Sequence, residues 1–166
     1  MSLENNIKLV KINENKKYIL DNLVSLYLHD LSEFADDLKV NEEGKFVYGG
    51  LEYYFKIEEL TPFFIYYKEE IAGFVLLNRG KYAGGEADYS IHELFVLKPF
   101  RKKGVATKAI QKVLEMYKGR YKIEQLEENK LAISFWKSFY KSNNIKYEEK
   151  MEVIDDLKCY TQVFNC

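Results

Sequence analysis

Apolar residues recur along the chain with a spacing that changes from segment to segment, and each change marks a predicted element. Residues 7–12 are typical of a strand. Asn13 is a plausible N-cap for the helix that follows, and apolar positions three and four apart extend this helix from about residue 14 to 35. That stripe consists of Ile19, Leu23, Tyr27, Leu31 and Phe34. Residues 36–50 are acidic and end in Gly-Gly, which predicts a loop, whereas residues 51–55 suit either a short helix or a strand.

The middle of the chain is rich in strand-forming residues. Residues 62–68 and 71–78 predict a hairpin with a tight turn at residues 68–70. A glycine-containing loop at residues 80–85 leads to a further strand over residues 88–97.

The strongest helical pattern comes next and is predicted to end at Gly119. Its stripe consists of Val105, Ala109, Val113 and Tyr117. Residues 121–126 predict a strand, and apolar residues from Leu131 to Tyr140 predict a short second helix. Residues 145–153 and 158–164 predict two strands around an Asp-Asp turn. This order favours an α/β fold in which a mixed central sheet carries helices on both faces.

Composition limits the class of protein. A length of 166 residues and an apolar fraction of 47% fit one domain spanning residues 1–166. No apolar run approaches the ~20 residues of a membrane helix, and residues 1–4 lack the features of a secretory signal. Two cysteines without a CxxC pair and two histidines favour reduced thiols and no metal site. We therefore expect a soluble, cytoplasmic protein without a membrane partner.

Charge is distributed unevenly, although the net charge is only −1. Residues 98–122 contain nine basic residues and one acidic residue, whereas residues 30–43 contain six acidic residues and one lysine. One region can attract an anion and the other a cation. A nucleic-acid binder that uses the basic segment is disfavoured, because its helix offers few aromatic residues for stacking and the whole chain is slightly acidic.

Residues 94–107 combine a strand, a basic loop and a helix start, which is the arrangement that binds phosphate. The first N–H groups of a helix lack partners within the helix, and the helix dipole adds positive potential there. Gly104 lets the backbone approach an oxygen closely. The chain contains neither GxxxxGK[ST] nor GxGxxG, so a nucleotide triphosphatase or a dinucleotide-binding fold is poorly supported.

The motif Arg101-x-x-Gly104-x-Ala106 resembles the signature loop of the GCN5-related N-acetyltransferase (GNAT) superfamily. A second motif, Asn129-x-x-Ala132-x-x-Phe135-Trp136, is similar to the other cofactor motif of that family. The order of elements from residue 7 to 164 agrees as well, and the resemblance implies a mostly antiparallel central sheet with helices on both faces.

The resemblance also implies the cosubstrate, acetyl-CoA, with no metal. Main-chain groups of Leu94, Phe95 and Val96 would hold the pantetheine arm, and Asn129 would bind it from the other side. One N–H here could polarise the thioester carbonyl. The pyrophosphate would be held by Arg101, Lys102, Lys103, Gly104, Val105, Ala106 and Thr107.

Acetyl transfer to an amine needs a base, because an ammonium group with a pKa near 10 must first lose a proton. His92 and Glu93 occupy the strand positions where relatives often carry this base. Adjacent strand residues face opposite sides, although a bulge would bring both to the site. We favour Glu93, acting directly or through a water molecule, with His92 as the alternative.

The general acid is where this sequence departs from the family pattern. Many relatives have a Tyr at the position of Trp136, and Trp cannot protonate a leaving thiolate. Tyr140, one helical turn later on the same face, is the candidate replacement. Alternatively no acid is needed, because a thiolate with a pKa near 8.5 is a tolerable leaving group.

The acceptor is predicted to be a primary amine of a small molecule or peptide, acetylated directly in a ternary complex. Acidic residues within 27–34 and beyond, with Tyr53 and Tyr54, would suit a cationic amine. The sequence does not distinguish a polyamine, an aminoglycoside, an amino acid or a protein N-terminus. A non-catalytic CoA-binding sensor or subunit is the alternative function. A homodimer through the late strands stays open, because residues 158–164 are apolar enough to permit one.

Overall fold

The computed structural model describes residues 6–166, so residues 1–4, discussed above as the chain start, lie outside the described part. Three α-helices are formed: α1 Lys17–Leu31, α2 Val105–Met116 and α3 Lys130–Ser142. The seven strands are β1 Ile7–Lys11, β2 Leu60–Tyr67, β3 Glu70–Arg79, β4 Tyr89–Val96, β5 Arg120–Leu126, β6 Tyr147–Ile154 and β7 Leu157–Asn165.

All seven strands belong to one sheet in the order β1-β2-β3-β4-β5-β7-β6. Every neighbouring pair is antiparallel except β4 and β5, which are parallel. These two strands pair only at Tyr89 with Tyr121 and at Ser90 with Lys122. Beyond these two pairs no further β4–β5 pair forms in the described chain, and a gap opens between the strands toward their carboxyl ends.

The helices cover both faces of the sheet, as the sequence predicts. On one face, Leu20 and Val24 of α1 pack on Phe64 and Phe74. On the other face, α2 and α3 pack on strand residues such as Val75 and Ile123. The fold class is therefore confirmed: a mixed α/β structure built on a mostly antiparallel sheet.

The first helix is shorter than its apolar pattern predicts. Residues 14–16 form a 3-10 turn in which the Lys16 N–H donates to the carbonyl of Asn13, and the α-helix itself begins at Lys17. The Asn13 side chain makes no cap hydrogen bond, so the predicted N-cap role is wrong. Phe34 lies beyond the helix, in a turn where its N–H donates to the carbonyl of Leu31.

Gly119 does not cap the second helix, which ends at Met116. Its φ of 155° is a conformation that residues with a Cβ rarely adopt, and its N–H and C=O exchange hydrogen bonds with Cys166. A Cβ added there would lie 2.7 Å from Oδ2 of Asp88. The glycine is therefore required for a close approach to Asp88 and not for a helix terminus.

The remaining elements agree with the sequence predictions or decide between the alternatives that the sequence left open. Residues Leu51–Phe55, for which the sequence left two readings, form a 3-10 helix. The hairpins turn at residues 68–69 and 155–156, as predicted. Strand β7 is paired on both edges, by β5 and by β6, so residues 158–164 offer no free strand edge. None of the helices between residues 6 and 166 has the length and apolar character that a membrane crossing needs.

Candidate active site

A bulge in β4 determines which way its carboxylate points. Leu76 of β3 is opposite Glu93, whereas the next residue, Leu77, is opposite Ile91, so His92 is the extra residue. With regular alternation Ile91 and Glu93 would share a face. Instead Ile91 packs with the α2 side of the sheet, and Glu93 turns to the α1 side.

Two tyrosine hydroxyls converge on the half-buried carboxyl group of Glu93. The hydroxyl of Tyr27, on α1, donates to Oε2, and that of Tyr48, in the loop after α1, donates to Oε1 at 3.1 Å. Burial raises the pKa of Glu93, while the charge of His92 and both hydrogen bonds act to lower it. Burial and the adjacent Glu93 raise the pKa of both tyrosines, which therefore remain protonated donors.

His92 is exposed at the bulge, beside Glu93. The predicted bulge is present, and the two candidate bases differ in burial, because His92 is exposed whereas Glu93 is half-buried. Leu94, Phe95 and Val96 follow on the part of β4 that has no β5 partner. Their main-chain groups on that edge line the gap, with one exception: the carbonyl of Val96 accepts a 2.7 Å hydrogen bond from Nε of Arg101.

The segment from Arg101 to Thr107 is built as an anion-binding loop. Lys102 and Gly104 both have positive φ, 58° and 74°. Within the described chain no acceptor is found for the N–H groups of Lys102, Lys103 and Gly104, and the first N–H groups of α2 follow directly. A Cβ added at Gly104 meets nothing within 4 Å. The loop therefore presents a concave row of free donors with open space in front of it.

Val105 anchors the anion-binding loop at its helix end. Val105 is 1% exposed and packs in the core below α2, whereas the charged groups of Lys102 and Lys103 are exposed. Ala106 and Thr107 are half-buried on the first turn. Thr107 also borders a groove of about 310 Å³ against α3, lined by Ser134, Phe135 and Ser138 among others.

The sequence profile of the Acetyltransferase (GNAT) family matches residues 23–139, which include the second half of α1, the bulged strand, the anion-binding loop and most of α3. The chain belongs to the GNAT acetyltransferase family. It is thus an acyl-CoA-dependent acetyltransferase. A search of curated protein sequences returned no match.

Three solved structures illustrate the fold of this acetyltransferase. Arabidopsis thaliana Naa50 in complex with the bisubstrate analogue CoA-Ac-MVNAL is 18% identical, with a TM-score of 0.61 over 95% of this chain and 97% of that one. Arabidopsis thaliana NAA60 in complex with acetyl-CoA is 15% identical, with a TM-score of 0.60 over 96% and 99%. AAC(6')-Ib in complex with ribostamycin and coenzyme A is 14% identical, with a TM-score of 0.68 over 96% and 93%.

Arg101 of the acetyltransferase loop uses its side chain inside the protein. Besides the bond from Nε to Val96, one guanidinium nitrogen lies 2.5 Å from Oδ2 of Asp30 on α1, and the group stacks over the ring of Phe95. Lys98 also approaches Asp30, at 3.8 Å. The sequence assigned Arg101 to the pyrophosphate; the structure gives its guanidinium partners on α1 and β4.

Asn129 is the N-cap of α3, where its Oδ1 accepts the N–H of Ala132 at 3.1 Å. Its amide NH₂ makes no hydrogen bond within residues 6–166, so this donor is available to a ligand. The same cap explains why the Asn-x-x-Ala spacing begins this helix.

Trp136 and Tyr140 both lie in the core of the acetyltransferase. Trp136 is 5% exposed and packs against neighbouring aromatic rings, and Tyr140 is 1% exposed. The Tyr140 hydroxyl donates to Oε1 of Gln162 at 2.9 Å, and burial raises its pKa. A buried, hydrogen-bonded phenol whose pKa is raised is poorly suited to protonate a leaving group, so this placement does not support Tyr140 as a general acid.

The residues that the sequence suggested for binding the acceptor amine do not all lie open to a ligand. Tyr53 is half exposed and Tyr54 is buried, with its hydroxyl donating to Asn78 at 2.6 Å. Asp30 is engaged with Arg101. Sequence reasoning missed Tyr48, which belongs to no motif. It placed Tyr27 in the apolar stripe of the first helix and in the stretch 27–34 expected to shape the acceptor site, but the target that both tyrosines share, Glu93, becomes apparent only in three dimensions. Within residues 6–166 no cluster of three His, Cys, Asp or Glu side chains is arranged to hold a metal ion.

Proposed function

We propose that this protein is an acetyl-CoA-dependent N-acetyltransferase that acetylates a primary amine of a small molecule or peptide by direct transfer in a ternary complex. The observation that carries the proposal is the position of Glu93 on the α1 face of β4, beside the gap that leads to the anion loop on the other face. A base and a cofactor site thus lie on opposite sides of one opening in the sheet.

The residues present fit the cosubstrate. Free N–H groups at Lys102, Lys103 and Gly104, with the start of α2, suit a pyrophosphate, and two exposed lysines add charge. The unpaired edge of β4 suits an extended arm with amide groups. The NH₂ of Asn129, which has no partner within residues 6–166, offers a further donor, and the open space in front of Gly104 leaves room for the ligand.

Glu93 is the base in this proposal. When bound, acetyl-CoA supplies an activated acyl group as a thioester, and the acceptor amine must be neutral to attack it. The carboxylate of Glu93 takes the proton of the ammonium group, directly or through a water molecule. Tyr27 and Tyr48 hold the two carboxylate oxygens and favour the ionised form that can accept it. His92, exposed and adjacent, is the alternative base.

The acceptor in this proposal is cationic before it loses its proton. Structurally similar proteins were solved with the bisubstrate analogue CoA-Ac-MVNAL and with ribostamycin, so the fold accommodates both peptide and small-molecule acceptors. A carboxylate framed by the rings of Tyr27 and Phe95 favours an ammonium group. The proposal further takes residues 1–166 as one acetyltransferase domain that works in the cytoplasm.

Calorimetric titration of acetyl-CoA into the purified protein tests the proposal. We expect saturable binding at one site per chain, strongly weakened by Gly104→Asp. Gly44→Asp is the matched control, because Gly44 also has a φ of 74° with nothing within 4 Å and lies in the loop after α1. No binding by the wild type up to millimolar acetyl-CoA would refute the proposed function.

A non-catalytic CoA-binding protein is the second candidate, and the buried Trp136 and Tyr140 favour it because neither is placed to protonate a leaving thiolate. Turnover separates the two functions. Acetylation of any amine from a screen, lost in Glu93→Gln while acetyl-CoA still binds, supports the enzyme. Binding of acetyl-CoA with no acetylation across polyamines, aminoglycosides, amino acids and peptides would favour the sensor.

A further inference from the structure

A row of hydrogen-bonded polar side chains crosses three strands beneath α3, with two buried glutamines and the exposed Glu149 at its outer end. Gln125 of β5 is 5% exposed and Gln162 of β7 is 0% exposed. Nε2 of Gln125 donates to Oε1 of Gln162 at 3.0 Å, and Nε2 of Gln162 donates to Oε2 of Glu149 on β6 at 2.6 Å. Tyr140 of α3 donates to the same Gln162 oxygen.

The carboxylate at one end fixes the direction of every hydrogen bond in this row. Glu149, which forms an ion pair with Lys137 at 3.2 Å, can only accept. Gln162 must therefore present its NH₂ to Glu149 and its oxygen to Tyr140 and Gln125. Gln125 in turn must spend its NH₂ on Gln162, which leaves its own oxygen without a partner.

The structure contains that unpaired oxygen. Oε1 of Gln125 is buried and has no donor within residues 6–166. A buried acceptor of this kind costs free energy unless something donates to it, and native proteins retain few of them. The fixed direction of the row excludes the simplest remedy, a reversal of the Gln125 amide, because its oxygen would then face that of Gln162.

Gln125 lies beside the gap at the level of the proposed base. The last β4–β5 pair joins Ser90 to Lys122, and Glu93 and Gln125 each lie three residues further along their strands. At about 3.3 Å per residue, Gln125 lies roughly 10 Å beyond the point of divergence, and Glu93 lies about 7 Å beyond it because His92 is the extra residue of the bulge. Gln125 shares the face of Ile123, two residues earlier, which is the face that carries α2 and the anion loop.

We propose that Oε1 of Gln125 accepts a hydrogen bond from an amide N–H of the pantetheine arm of acyl-CoA lying in the gap between β4 and β5. The inference rests on the proposed function and adds a binding residue on β5, opposite the main-chain edge of β4. The arm carries two amide groups, each with one N–H, and the core on this face of the sheet, to which Ile123 and Trp136 belong, is apolar. The ligand is thus the donor that the apo protein lacks.

The first test replaces Gln125 with Met, which has a similar length but no acceptor. Acetyl-CoA binding measured by calorimetry should weaken about tenfold, as expected for one lost hydrogen bond with a buried group. Thermal stability of the apo protein should stay the same or rise, because the unpaired oxygen is removed while Tyr140 still donates to Gln162. Weaker binding together with undiminished stability is the signature of the proposed contact.

Thr61→Val is the matched control. Thr61 of β2 is 2% exposed and its hydroxyl is also buried without a partner, but β3 and β4 separate it from the gap. It should leave acetyl-CoA affinity unchanged. Equal affinity of wild type and Gln125→Met for acetyl-CoA would overturn the inference, and would indicate that a water molecule satisfies the oxygen.

A change in the ligand gives the same test without relying on a folded variant. Analogues of acetyl-CoA in which an ester oxygen replaces one pantetheine N–H should bind wild type about tenfold more weakly at one of the two positions. The affinity of that analogue should be the same for Gln125→Met as for the wild type, because the hydrogen bond is already absent. If both analogues bind as tightly as acetyl-CoA, the contact does not exist. If acetyl-CoA itself fails to bind wild type, the proposed function fails, which is a separate result.

Discussion

At the scale of single residues, the Glu93 carboxyl group is subject to opposing influences. Burial favours its neutral form, whereas the adjacent His92 and the hydroxyls of Tyr27 and Tyr48 favour its charge. The net pKa is raised, so the folded protein binds this proton more tightly than the unfolded chain does. The stabilisation that protonated Glu93 provides is present below its unfolded pKa and is lost as pH rises through the raised folded pKa.

Glu93→Gln therefore has two expected effects. Acetylation should fall by about 100-fold or more, because the base is removed. The melting temperature at pH 7 should exceed that of the wild type, because the variant avoids burying a charge, and the difference should vanish below about pH 4, where the carboxyl is protonated in both states. Melting curves at several pH values check this. A variant less stable than wild type at every pH would contradict it.

Tyr48→Phe tests the hydrogen bond to Oε1 directly. Loss of this donor raises the pKa of Glu93 further, so the acid limb of the kcat/KM profile should move to higher pH. The charged and titratable groups facing the carboxyl are Tyr27, Tyr48 and Tyr54, with His92 on the same strand. Tyr53→Phe, at a half-exposed position, should leave the limb in place. If Tyr48→Phe lowers kcat/KM but leaves the acid limb of its pH profile at the same pH, Tyr48 contributes packing and does not influence the pKa of Glu93.

At the scale of elements, one guanidinium group links three of them. Arg101, in the loop before α2, holds the end of β4 through the Val96 carbonyl and α1 through Asp30. The main chain of the loop then remains to meet a ligand, with Gly104 at the turn into the helix. Binding at this loop thus depends more on backbone N–H groups than on the arginine charge.

Arg101→Ala should accordingly weaken acetyl-CoA binding by less than about tenfold, while Gly104→Asp should abolish it. The Asp30 ion pair is partly exposed, and its loss should cost at most about 1 kcal/mol of the free energy of unfolding. Lys103→Ala is a control for the loss of one exposed charge. Calorimetry and urea denaturation measure both quantities. Equal loss of binding in Arg101→Ala and Gly104→Asp would show that the guanidinium itself binds the ligand.

At the scale of the whole molecule, charge is segregated although the net charge is −1. The nine basic residues of 98–122 lie between the end of β4 and the start of β5, in the segment that contains the anion-binding loop and α2, on the face proposed for acetyl-CoA. The acidic residues of 30–43 lie in and after the end of α1, on the face proposed for the amine. The field of the protein thus directs an anion and a cation to opposite sides of the sheet.

Acetyl-CoA affinity should therefore fall as sodium chloride rises from 50 to about 500 mM, because added salt screens these exposed charges. Acetyl-pantetheine, which lacks the phosphates, should bind more weakly at every salt concentration and with little salt dependence. Calorimetry of both ligands provides the comparison. Identical salt dependence for the two would show that the basic loop does not contact the phosphates.

The sequence by itself determined the order of elements, the hairpins and the basic loop before α2, because these depend on short-range periodicity and on turn chemistry. It failed where contacts between distant segments decide. Asn13 makes no cap, and Gly119 is needed for the approach of Asp88, not for a helix end.

Only the tertiary structure decided what each side chain does. The bulge at His92 turns Glu93 to the α1 face, where two tyrosines 66 and 45 residues away in the chain meet it. Long-range packing likewise commits Arg101 to Asp30, buries Tyr140 against Gln162 and opens the gap between β4 and β5. The local sequence pattern shows the periodicity of a segment but not which distant segment packs against it. At this site those distant segments determine the orientation and burial of the side chains and the proton affinity of Glu93.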